Sequence, residues 1–175
     1  LMSNENQKQV FLNRSAIIES LRESLKDRDL VEVETPMMHQ IPGGAVARPF
    51  VTKHNALDRE LFLRIAPELY LKRLLVGGFE RVFEINRSFR NEGLSTKHNP
   101  EFTMLEYYEA FTTLENTIEF TESLIKKACE LINDSLNISW GEDKINLSKF
   151  RKAKLADLFL EHNNSISEAE IAKMG

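Results

Sequence analysis

The stretch Phe89-Arg90-Asn91-Glu92-Gly93, followed after a short polar segment by Lys97-His98-Asn99-Pro100-Glu101-Phe102-Thr103-Met104-Leu105-Glu106, decides how this chain is read. Phe79 to Phe89 reads as one strand, Arg90 to Pro100 as a polar loop and Glu101 to Phe111 as the returning strand, so the segment is expected to form a long hairpin. Side chains alternate across a strand, which puts Phe102, Met104, Glu106 and Tyr108 on one face and Thr103, Leu105, Tyr107 and Phe111 on the other. A row that mixes an aromatic ring, a carboxylate and a phenol suits a pocket floor better than a core.

The flanking segments build a mixed architecture around that hairpin. From Gln9 to Asp29, apolar Val10, Phe11, Ile17, Ile18, Leu21 and Leu25 recur at three- and four-residue spacing, the pattern of an amphipathic helix. Leu30 to Glu34, ended by Pro36, reads as a short edge strand. Pro42-Gly43-Gly44 makes a loop. Arg48 to Thr52 and Glu60 to Ile65 read as strands joined by the polar turn His54 to Arg59. Pro67 to Val76 reads as a short helix ended by Gly77-Gly78. Thr112 and Glu115 have capping-box spacing ahead of a helix carrying Leu114, Ile118, Ile125, Ala128 and Ile132. Beyond Asn133 a strand pair turning near Gly141-Glu142-Asp143, a helix around Ala153 to Leu160 and a further helix capped by Ser167 and Glu170 are expected.

Composition sets the outer bounds. The 175 residues, 42% hydrophobic and 29% charged, are those of an ordinary globular chain with a core of its own. No apolar run approaches the ~18 residues of a membrane span, and Leu1 to Gln9 lack the features of a secretory signal. A cytoplasmic location without membrane attachment is the expectation. Cys129 is the single cysteine, read as a small buried apolar residue on a helix. The formal charge of −4, from 23 basic and 27 acidic residues, contains no basic arm that would by itself announce a nucleic-acid partner. The chain opens on Leu1 and stops at Lys173-Met174-Gly175 without a closing element, so both ends are expected to be cut from something longer.

The combination Phe-Arg-x-Glu, a variable loop, then Pro-Glu-Phe-Thr on the returning strand resembles the second signature motif of class II aminoacyl-tRNA synthetases. Val31-Glu32-Val33-Glu34-Thr35-Pro36-Met37-Met38 is similar to the first motif, whose helix and strand form the dimer interface in those enzymes. Ile41-Pro42-Gly43-Gly44-Ala45, Ala66 to Leu74 and Gly77 to Val82 look like lysyl enzymes in particular. The resemblance is close over Val10 to Ile132 and thins after Asn133. It implies an α+β fold with a class II antiparallel sheet flanked by helices, incomplete at its C-terminal side. It also implies two regions: residues 1–133 as the N-terminal part of the catalytic core, and 134–175 as the start of a variable segment between the second and third motifs.

Chemistry gives the implied roles a reason. Joining an amino acid to ATP brings a carboxylate and a phosphate together, so a fixed cation must offset their repulsion. Arg90, with its planar multi-donor fork, suits that task better than a lysine. By resemblance Arg90 bridges those groups, Glu92 reads the adenine amino group, Phe102 stacks on the ring, His98 touches the outer phosphates and Asn99 helps hold the loop. Lysine needs a carboxylate for its side-chain ammonium and an acceptor for its α-amino group. Glu106 and Tyr108 match the family's side-chain readers, and Glu68 with Gly44 its α-amino contacts. His39, His54 and His162 show no metal-ligand spacing and read as surface or loop residues, while Met37, Met38 and Met104 read as packing.

The family's third motif, its acidic metal ligands and its anticodon-reading barrel have no counterpart in these residues. Magnesium ligands are therefore expected outside this piece, which alone should be inactive. The resemblance implies lysine, ATP and tRNA(Lys) as partners and a homodimer through the first motif. Two other readings stand beside a lysine-tRNA ligase: a paralogue that attaches a lysine-like amino acid to a protein, and a non-catalytic binding or dimerisation module. An aspartyl or asparaginyl relative would need a cation where this chain offers Glu106 and Tyr108.

Overall fold

The computed structural model describes residues 4–93 and 95–163, and the chain divides into two compact units, residues 1–124 and 125–175, with the division inside one helix. In the first unit, α1 (Glu5–Lys26) starts where the Asn4 side chain accepts the Gln7 amide at 3.2 Å. It stops through a left-handed residue, Asp29 (φ 61°), that sends the Leu30 amide back to the Leu25 carbonyl at 3.0 Å. That closure brings Leu25 and Leu30 together, and with Phe83 they form a fully enclosed cluster. The helix thus begins and ends a few residues before its sequence-read limits, because Asn4 supplies the cap and Asp29 the reversal.

The principal sheet has the order β1 (Val31–Glu32), β5 (Arg81–Phe89), β6 (Glu101–Glu109). The β5–β6 hairpin is antiparallel in continuous register from Arg81↔Glu109 to Phe89↔Glu101. β1 is the edge strand anticipated, but it runs parallel to β5, so this sheet is mixed rather than wholly antiparallel. The register sorts the faces. Phe83, Ile85, Leu105 and Tyr107 lie in or against the core, with Phe120 packed edge-on to Tyr107 at 5.6 Å. Glu84, Ser88, Phe102, Glu106 and Tyr108 have the opposite parity and form the other face. Phe111, expected on the core face of the strand, instead lies past its end at φ 59° and is 97% exposed. The Ala110 amide is captured by the Glu80 carbonyl at 2.7 Å, which turns the chain away from the sheet.

A second sheet, β2 (Met38–His39), β4 (Arg59–Leu63), β3 (Val51–His54), is antiparallel, with the short helix Asn55–Leu57 at the β3–β4 turn. Helix α2 (Glu68–Val76) follows and ends at Gly78 (φ 104°), where the Phe79 amide returns to the Leu74 carbonyl. A side chain there would be strained, which is why the Gly77-Gly78 pair ends this helix. Helix α3 (Leu114–Asn133) is capped by Thr113, whose Oγ1 accepts the Asn116 amide at 3.2 Å, one residue later than the Thr112 cap expected from the sequence.

Two further readings need correction. His39 is buried on β2, its Nε2–H donating to the Pro36 carbonyl at 2.8 Å and its ring 4.8 Å from that of Tyr70, so it is no surface histidine. Met38 is 56% exposed and does not pack, since strand alternation gives the inward place to His39. His54 is exposed and caps the Asn55–Leu57 turn. Burial, reinforced by Arg64 and Arg73, holds the His39 imidazole below the usual histidine range. An unfolded histidine takes up its proton near pH ~6.5, so the unfolded chain binds more protons and stability falls as pH drops through that value. Between about pH 7.5 and about pH 5.5 the thermal midpoint should fall, and His39→Gln should flatten that slope. Equal slopes in both proteins would relieve His39 of the effect.

In the second unit, the C-terminal part of α3 buries Cys129 as expected, its thiol donating to the Ser135 carbonyl at 3.2 Å. β7 (Asn137–Trp140) and β8 (Asp143–Asn146) form the anticipated hairpin, turning through Gly141 at φ 62°. Glu161 of helix α4 (Leu155–His162) accepts an exposed two-pronged pair of bonds from Arg151 ahead of the helix, at 2.9 and 2.6 Å. The anticipated Ser167–Glu170 cap lies outside the described residues. Among the described residues no helix is long and apolar enough to cross a membrane.

Candidate active site

Arg90, Glu92, His98, Asn99 and Phe102 line one cavity of about 400 Å³, together with Gly93, Lys97 and Pro100. The hairpin builds it: the Arg90 amide donates to the Pro100 carbonyl at 2.9 Å, closing the ladder just where the loop departs. The Asn91 amide is held by the Arg48 carbonyl at 2.8 Å. Across that closure the Arg90 guanidinium carbon lies 5.1 Å from the Phe102 ring centroid, in cation–π range. Arg90 Nε is buried with no hydrogen-bond partner among the described residues. A buried donor left unmatched costs about 1–3 kcal/mol, so this group is poised for an anionic acceptor. In the loop, His98 Nδ1 and the Ser95 hydroxyl are 2.8 Å apart, which orients the imidazole at the cavity wall.

Farther along the same face of β6, the Tyr108 hydroxyl donates to Glu106 Oε2 at 3.2 Å. Burial is the main cause that raises the Glu106 carboxyl above the usual range, and the neighbouring Glu68 adds to it, while the bond from Tyr108 and the Arg64 charge oppose it. Burial and the charges of Glu106 and Glu68 push the Tyr108 phenol well up. Glu68 stands at the first turn of α2. Gly44 (φ 92°) packs against it so closely that an added Cβ would lie 3.2 Å from the Glu68 Cβ and 3.3 Å from the Ala66 Cβ. Glycine is required there by both conformation and space. The structure thus groups the five expected nucleotide contacts in one cavity, and the expected amino-acid contacts Glu68, Glu106, Tyr108 and Gly44 around the strand face beside it.

Sequence reading missed what lies beside this floor on the same sheet face. Arg64 and Glu84 are each 1% exposed and meet at 2.6 Å. Arg64 Nε also donates to the Arg87 carbonyl at 2.8 Å, Thr35 Oγ1 donates to Glu84 Oε2 at 2.6 Å, and the Phe89 amide reaches the Arg64 carbonyl at 2.9 Å. Glu84 is the cross-strand partner of Glu106. Lys72, one helical turn after Glu68, was also passed over; the i, i+4 spacing was its available signal. Among the described residues no three His, Cys, Asp or Glu side chains gather to hold a metal ion.

Comparison with known proteins agrees with this arrangement. A family model described as tRNA synthetases class II (D, K and N) matches residues 1–173, so the match continues past Asn133, where the resemblance was expected to thin. A protein of Nitrosomonas europaea named lysine–tRNA ligase is 53% identical over 172 residues, covering 98% of this chain and 34% of its own length. Proteins of the same name from Coxiella burnetii and Neisseria gonorrhoeae are 54% and 51% identical over the same extent. The chain spans about a third of the length of these curated relatives. Matched from end to end by the family and at above half identity by its members, the chain belongs to the class II tRNA synthetases of the D, K and N group.

Proposed function

We propose that this chain is part of a lysine-tRNA ligase, which activates lysine with ATP and transfers it to tRNA(Lys). The observation that carries the reading is one strand face with a cationic and aromatic cavity at one end and a partly buried, hydrogen-bonded carboxylate at the other. In the first step a lysine carboxylate oxygen attacks the α-phosphorus of ATP and pyrophosphate departs, giving lysyl-adenylate. In the second, a ribose hydroxyl of the tRNA terminus attacks the acyl carbon and AMP departs. Arg90 holds carboxylate and α-phosphate together, offsetting charge that grows as they approach. Phe102 and Glu92 hold the adenine, and His98 and Asn99 the loop side of the phosphates. Glu106 and Tyr108 take the side-chain ammonium, and Glu68 with the backbone at Gly44 the α-ammonium. Two acids directed at the substrate favour an amino acid with two ammonium groups over the aspartate or asparagine handled by other members of the group.

Magnesium accompanies ATP, with ligands proposed outside residues 1–175. Residues 134–175 are proposed to open a variable segment of the core. A homodimer through residues 31–38 and a cytoplasmic location complete the proposal. Amino-acid-dependent ATP–pyrophosphate exchange by the full-length protein tests it, with lysine, aspartate, asparagine and a β-lysine analogue compared. Lysine-dependent exchange is expected; preference for the analogue would favour a protein-modifying paralogue, and no exchange a binding module. Glu106→Gln should weaken lysine use by ~2 kcal/mol, about 30-fold in kcat/KM, by removing a charge-assisted contact. Unchanged lysine kinetics would take Glu106 out of the site.

A further inference from the structure

Lys72 Nζ donates to Glu68 Oε1 at 2.5 Å and lies 5.9 Å from the centroid of the Tyr108 ring. An i, i+4 pair on a helix ordinarily contributes only a few tenths of a kcal/mol. This one differs in its surroundings. Glu68 is 31% exposed against 53% for Lys72, so the carboxylate is the more enclosed end of the pair and the ammonium its solvent side. The ring under the ammonium belongs to the phenol that donates to Glu106. The charge of Glu68 acts on both Glu106 and Tyr108.

The groups acting on Glu106 are Tyr108 from its own strand, Glu84 from β5, Arg64 just after β4, and Glu68 from α2, and Lys72 reaches this set through its pair with Glu68. Arg64 and Glu84 are committed to each other at 2.6 Å and largely cancel. The charge felt at Glu106 is therefore governed by Glu68, and Lys72 is the cation that offsets Glu68.

Resting on the lysine-ligase reading, we propose that Lys72 is a positioning residue of the amino-acid site. It fixes Glu68 through Oε1, leaving Oε2 for the substrate α-ammonium, and by offsetting that carboxylate it keeps Glu106 charged for the side-chain ammonium. Without Lys72 the two acids face each other uncompensated, Glu106 holds its proton to higher pH, and Glu68 loses its fixed orientation.

The test is lysine-dependent ATP–pyrophosphate exchange by the full-length protein across the acidic limb of kcat/KM, for wild type, Lys72→Met and Lys72→Arg. Lys72→Met should raise KM for lysine roughly tenfold with kcat changed much less, and move the acidic limb up by about one pH unit. Lys72→Arg should restore the limb. A raised KM with the limb unmoved would leave Lys72 a purely structural helix residue and overturn the proposal. A lowered KM would make Lys72 a competitor for the substrate's place and also overturn it. Wild-type protein that exchanges no lysine at all would overturn the substrate assignment first and the proposal with it, an outcome distinct from the other two.

Discussion

Arg90→Lys in the full-length protein should lose on the order of 100- to 1000-fold in lysine-dependent ATP–pyrophosphate exchange, although the charge is retained. The residue's position is fixed from both sides, by the hydrogen bond its amide donates to the Pro100 carbonyl and by the Phe102 ring under its guanidinium. Its Nε is buried without a partner, a donor whose desolvation is repaid only when an anion arrives. Lysine has no donor at that point of the side chain and no planar fork to span a carboxylate and a phosphate together. A single ammonium can satisfy one of the two anions, and the other then meets uncompensated repulsion in the transition state. The loss should therefore appear in kcat, with a smaller change in KM for ATP, since Phe102 and Glu92 are untouched. Near-normal exchange in the variant would sink the bridging role.

The parts legible in the sequence were those governed by local period and by motif spacing. Alternation alone put Phe102, Glu106 and Tyr108 on one face, and the hairpin register bears this out. The cavity around Arg90 followed because a single loop carries most of its wall. What stayed hidden depends on distant pairing. His39 looked like a loop residue because nothing local reveals that β2 is covered by Tyr70 from α2. Phe111 looked like strand because its periodicity continues, whereas the bond between Ala110 and Glu80 ends the strand first. Arg64 and Glu84, twenty residues apart, give no sign in sequence that each needs the other; each alone reads as an ordinary surface charge.

That hidden pair carries the other large expectation. Arg64→Met in the full-length protein should cost about 3–5 kcal/mol of stability near neutral pH, because it strands a carboxylate that is 1% exposed. Thr35 and Asn86 would still donate to Glu84, at 2.6 and 3.3 Å, but two neutral donors do not replace a guanidinium. The double variant Arg64→Met, Glu84→Gln removes both charges and should recover more than half of the loss, the signature of an uncompensated charge rather than of lost volume. Urea unfolding of the four proteins in the cycle gives the coupling directly. If the double variant is no more stable than Arg64→Met alone, the penalty lies in the other contacts of Arg64, above all its bond to the Arg87 carbonyl. Either way the strand end is what moves: the Arg64 carbonyl holds the Phe89 amide, one residue before Arg90, so the buried pair on this sheet face bears on the place of the Arg90 cation.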